Sequence, residues 1–184
     1  MKVFVLVAVQ LAALLAFPAF AQTQTTTRRT LDAFAVWRSE AQFVPISAKT
    51  AVLAGTLGGP LYIESDRGPE DSGDVSCPVT IEVDLQTERQ TGSGYCTFTA
   101  YDGAKAFGAW RCEGTLGDGC DGDFILSGGT GRMASLSGKS PISFFASRHD
   151  LHLTDQSTLA DTAHGITVWP GLNVTLRQAL APKK

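Results

Sequence analysis

The chain has 184 residues, a length that suits a single domain of ordinary size. Hydrophobic residues make up 43% and charged residues 18%, a balance that can bury a core and excludes a fully disordered chain. The formal charge is −3, so no basic excess exists to neutralise phosphates, and no nucleic-acid partner is expected.

Lys2 is the only charge before Arg28, and it precedes an apolar run from Val3 to Phe20. With the small residues of Ala19-Phe20-Ala21 at its end, this segment reads as a secretory signal, residues 1–21, cleaved after Ala21. A retained anchor is the weaker reading, because the sequence turns polar and Thr-rich at once. The residue directly after the cut is Gln22, not a cysteine that could carry a lipid. Cleavage takes Lys2 from the 15 basic residues and leaves 14 against 18 acidic ones, a charge of −4. No second apolar run is long enough to span a bilayer. The expectation is an exported protein, periplasmic or secreted, with no stable membrane insertion after cleavage. Residues 22–30, QTQTTTRRT, show no hydrophobic period and read as a flexible leader to a single domain over 31–184.

Strand signals then recur along the chain, while helical periodicity is nearly absent. Leu31–Arg38 fits a helix or a strand about equally. Thr50–Leu57 ends in Gly58-Gly59-Pro60, with Leu61-Tyr62-Ile63 following, and Arg67–Gly73 is a charged loop by composition. In Pro78–Leu85, Val79, Ile81, Val83 and Leu85 alternate with Thr80, Glu82 and Asp84, which puts both carboxylates on a solvent face. Gly94–Tyr101, Ala106–Glu113, Gly122–Ser127 and Ile142–Ser147 continue the series. Leu159–Ala163 could form one helical turn, and Gly165–Trp169 and Leu172–Arg177 flank Pro170-Gly171. Short strands at this spacing predict an all-β sandwich or antiparallel barrel. Asn173-Val174-Thr175 matches a glycosylation sequon and reads as the polar face of a strand.

Cys77, Cys96, Cys112 and Cys120 all follow the predicted cut, and four cysteines in an oxidising compartment predict two disulfides. Counting outward from a turn near Asp102-Gly103 brings Cys96 and Cys112 nearly opposite, giving Cys96–Cys112 with Cys77–Cys120 as one pairing. Cys112 and Cys120 also bracket a short Gly-rich loop, giving Cys112–Cys120 with Cys77–Cys96 as its rival. The spacings lack the close pairs of a structural zinc site, so no metal is expected.

Gly92-Ser93-Gly94-Tyr95-Cys96 opens a strand that leads to Tyr101-Asp102-Gly103, then Trp110-Arg111-Cys112-Glu113-Gly114, then Gly128-Gly129-Thr130-Gly131-Arg132 with Gly138 beyond. This succession resembles the allene oxide cyclase and dirigent-like β-barrel superfamily. It looks most like the exported bacterial members with a GGTGR turn, in which a late Trp-Pro such as Trp169-Pro170 also recurs. The resemblance covers about Cys77 to Arg177. It implies a small antiparallel, lipocalin-like barrel of about eight strands, a size whose interior fills with side chains or holds one small ligand. Plant members cyclise an unstable epoxide or steer radical coupling, but no motif carries their catalytic residues onto this chain.

Gly129-Thr130-Gly131-Arg132-Met133-Ala134 also fits a dinucleotide fingerprint, with Asp150 downstream. No helix or βαβ pattern surrounds it, and no cofactor is expected. A nucleophile elbow is absent. His149, His152 and His164, with Asp161, would make a metal site conceivable, but residues three apart on a strand point to opposite faces. They read as exposed polar residues on a loop between late strands. Phe98, Trp110, Phe124, Phe144 and Trp169 are expected inside the barrel, as ordinary core or as the walls of an apolar cavity. The candidate ligand-binding residues are Phe98, Trp110 and Trp169, with Arg111 and Glu113 at the rim, and the expected partner is a small hydrophobic molecule. The leading expectation is a non-enzymatic ligand binder or envelope-associated module. An isomerase or cyclase acting on a reactive apolar substrate is the alternative, and a module offering a sheet edge to a partner is a third.

Overall fold

The computed structural model describes residues 24–154 and 159–179. The predicted signal, residues 1–21, lies outside them. Eight strands follow one another round a closed barrel: β1 (Gln24–Pro45), β2 (Thr50–Ser65), β3 (Gly68–Asp84), β4 (Arg89–Thr99), β5 (Lys105–Thr115), β6 (Gly119–Gly129), β7 (Ser137–Leu153) and β8 (Leu159–Ala179). Each pairs antiparallel with its sequence neighbours, and β8 closes on β1. Closure gives every strand a neighbour on each side, although β1 pairs with β2 only from Ala33 onward and β7 with β6 only as far as Phe144.

The alternation read in β3 sets which side faces in. Val75, Cys77, Val79 and Val83 are buried, while Ser76, Thr80, Glu82 and Asp84 are exposed. Leu85 falls outside the strand because Asp84 Oδ1 accepts the N–H groups of Gln86 and Thr87, at 2.8 and 3.0 Å, and turns the chain. Those two donors hold the Asp84 carboxyl below its ordinary range.

Several sequence expectations change. Gln24–Thr30 is not a flexible leader but the start of β1, paired with Asn173–Ala179 of β8. Its polar, β-branched residues suit an exposed strand that needs no apolar period. Leu31–Arg38 is strand, and Leu159–Ala163 is strand too, held between β1 and β7. The charged segment Arg67–Gly73 shrinks to a turn at Asp66-Arg67, since Ser65 pairs with Gly68 and its hydroxyl bonds the Glu70 carboxylate. Pro170-Gly171 does not separate two strands. It is a bulge inside β8, where Gly171 has φ 59° and donates its N–H to Asp32 at 2.6 Å. The register slips there, and both Trp169 and Leu172 face inward.

The disulfides are Cys77–Cys96, joining β3 to β4, and Cys112–Cys120, joining β5 to β6. The first pairing weighed from sequence fails because the register sets Cys96 opposite Gly108 and Cys112 opposite Gly92. All four sulfurs belong to buried residues of the barrel interior.

Candidate functional site

The five aromatic residues expected inside are all buried. Phe98, Phe124 and Trp169 meet edge to face, with ring centroids 5.5–5.8 Å apart. Trp110 lies against Phe144 at 4.4 Å. Glycine makes room for both groups. A Cβ on Gly94 would come within 2.8 Å of Trp110 Nε1, and one on Gly108 would strike the Phe124 ring at 2.3 Å. Thus the G-x-G of β4 is a shelf for an indole rather than a phosphate loop. Together the rings divide the interior into two unequal cavities.

The larger cavity measures about 730 Å³ and opens toward the β4–β5 and β6–β7 connections. Phe98, Phe124 and Trp169 line its depth, and Leu61, Ile63, Leu126 and Leu172 line its sides. Among the described residues, Arg29 and Arg132 are the only charged ones lining it. Of the predicted binding residues, Phe98 and Trp169 meet here and Trp110 lines the smaller cavity instead. Arg111 and Glu113 line neither. They alternate with inward Trp110 and Cys112 and so lie exposed on the outer wall.

Sequence reasoning missed Arg29, because its segment read as a leader, and placed Arg132 only in a turn. The structure gives that turn a partner. Arg132 Nε sits 2.6 Å from Asp102 Oδ2, so the GGTGR segment is tied to the Asp102-Gly103 turn. Thr130 adds a second clasp, its N–H donating to Lys105 O and its hydroxyl accepting the Lys105 N–H. A short 3₁₀ turn, Gly131–Met133, follows, and Met133 joins the cavity wall. The fingerprint-like glycines therefore shape a cavity rim, and no helix begins there.

Arg132 holds the Asp102 carboxyl below its ordinary range, with help from the Ala104 N–H. A depressed carboxylate stabilises the folded form above its unfolded pKa and loses that contribution as pH falls through the folded value. The tie is therefore expected to persist at neutral pH and to open only in acid below the usual Asp range. Carbon-detected NMR titration of Asp102 checks this, and Arg132→Gln should move the midpoint upward. An unchanged midpoint in that variant would remove Arg132 as the cause.

At the opposite end, His149 Nδ1 lies 3.0 Å from Asp161 Oδ2. The histidines lie not on a loop but in paired strands, His149 and His152 in β7 and His164 in β8, and His152 and His164 are exposed and do not join the pair. Among the described residues, no group of three or more His, Cys, Asp or Glu is placed to hold a metal ion.

No family model and no curated protein matches the chain. Among solved structures it is similar to a pterocarpan synthase dirigent protein, at 11% identity over 85% of this chain and 93% of that one, with a TM-score of 0.37.

Proposed function

We propose that the protein is an exported ligand-binding barrel whose larger cavity holds a small apolar molecule bearing an acidic or strongly polar head. The observation that carries this reading is a cavity of about 730 Å³ with apolar walls and two arginines, and no acidic side chain, among its lining residues. Apolar burial supplies the affinity, and Arg29, which has no ion-pair partner among the described residues, receives the head group. The buried polar residues among those described, Gln90, Ser140, Asp161 and Thr167, do not line this cavity, so the proposal is one of binding. Export is supported by the Lys2–Ala21 pattern and by the two disulfides. We place the chain with the exported bacterial branch of the allene oxide cyclase and dirigent-like barrels on its GGTGR and Asp102-Gly103 segments.

Anilinonaphthalene sulfonate, an apolar anion, is a suitable probe. Titration should show saturable fluorescence enhancement at one site. Arg29→Gln should weaken binding by about twofold to fivefold, the range for an exposed charge contact. Leu126→Trp, which narrows the cavity, should weaken it as well. Dye binding that ignores both substitutions would sink the reading. Native mass spectrometry of material recovered from the exported fraction then identifies any resident molecule.

A further inference from the structure

The smaller cavity, about 80 Å³, sits at the end of the barrel away from Arg29. Trp37, Trp110 and Phe144 supply its aromatic walls, and Asp161 and His149 its ionisable groups. Among the described residues no lysine or arginine lines it, so its polarity is the reverse of the larger cavity's.

A local irregularity builds this site. In β7, Phe144 and Ala146 face inward, and simple alternation would next turn Arg148 in. The register against β8 slips between Ala146 and Arg148, and Ser147 is the extra residue. The inward face therefore passes to His149, which reaches Asp161 across the β7–β8 ladder. Bulges commonly re-aim a side chain in this way. Small residues at Ala41, Ala146 and Ala163 leave the space beside the pair empty.

Asp161 is the one ionisable residue that is buried among those described, at 4% exposure. Burying a carboxylate is costly unless its oxygens are bonded. The imidazole occupies Oδ2, while Oδ1 is buried with no hydrogen-bond partner among the described residues. Gln90 does not serve it, because its amide donates to Thr115 O and Gly119 O, at 3.2 and 2.8 Å. The pair lines the cavity together with its aromatic walls.

We propose that this cavity binds a small organic ammonium ion, primary or methylated, with Asp161 as counter-ion and the aromatic walls as its apolar support. An N–H or N–CH₃ cation is attracted both by a carboxylate and by aromatic faces. A cavity of 80 Å³ has room for about two or three waters, hence for an ion of methylammonium to trimethylammonium size rather than a drug-sized ligand. Anions are repelled by Asp161. The site is independent of the larger cavity and of what that cavity holds.

The test uses the full exported chain at pH 8, titrated with methylammonium and trimethylammonium chloride against sodium chloride at matched ionic strength. The indole N–H signals of Trp37 and Trp110 in ¹H–¹⁵N spectra are the readout. Saturable shifts with the ammonium salts alone, at millimolar midpoints or below, are expected. Asp161→Asn should weaken binding at least about tenfold, the loss of one charged contact. Ala41→Leu, which keeps the carboxylate but fills the space, should abolish it. If Asp161→Asn fails to fold, Ala41→Leu alone decides. The outward variants His152→Gln and His164→Gln should change nothing. Shifts equal to those with sodium, or binding undiminished in a folded Asp161→Asn or in Ala41→Leu, would overturn the assignment.

Discussion

A barrel carrying Trp169→Ala is expected to unfold about 3–5 kcal/mol more readily, the usual cost of truncating a large buried aromatic side chain. Trp169 is 2% exposed and packs edge to face on Phe98 and Phe124. The two rings it packs on are already in mutual contact. Against a typical total of about 5–15 kcal/mol, the loss is a large share of the fold's stability. The same substitution deepens the larger cavity, so ligand selectivity should shift toward bulkier apolar molecules in whatever fraction remains folded. Trp169→Phe keeps most of the edge contacts and should cost less. Denaturant unfolding of the three proteins checks the order. A loss below about 1 kcal/mol for alanine would mean that the aromatic layer is not a packed partition, because truncations of that size follow only where a site is loosely filled.

Breaking the disulfides should come next in magnitude. Cys77–Cys96 closes a separation of 19 residues and Cys112–Cys120 one of 8. A link stabilises mainly by restricting the unfolded chain, more for the longer loop, with typical values of about 2–4 kcal/mol. The pair Cys77→Ala with Cys96→Ala should therefore cost more than Cys112→Ala with Cys120→Ala. Denaturation midpoints measured for both double variants, and for the reduced parent, provide the comparison. Peptide mapping without reductant supplies an independent check. Recovery of a Cys96–Cys112 fragment would contradict the β4–β5 register itself, since that register separates the two residues by four positions.

The candidate sites were legible to different degrees. Phe98, Trp110 and Trp169 could be placed inside from alternation alone, because in a small barrel every second residue has nowhere else to go. Arg111 and Glu113 were misplaced by the same logic left unfinished: as neighbours of an inward Trp110 and an inward Cys112 they must point out. Arg29 was hidden in a segment whose polarity says nothing about pairing. Its strand exists because β8 continues past its bulge and supplies hydrogen bonds along Gln24–Leu31. The His149–Asp161 pair was hidden for another reason. Its two residues are 12 apart in sequence, and only an unannounced extra residue in β7 turns the imidazole toward the carboxylate.

Taken alone, the order of residues determined the all-β class, the strand-by-strand face assignment in the regular stretches, and the burial of the cysteines and large aromatics. Those properties follow from period-two alternation and from glycine-marked turns, which are local. The tertiary structure decided the closure of β8 on β1, the disulfide pairing, the division of the interior into two cavities of opposite polarity, and the strand ends that line them. Each depends on register between strands distant in sequence. A single bulge shifts that register by one residue and exchanges the two faces beyond it.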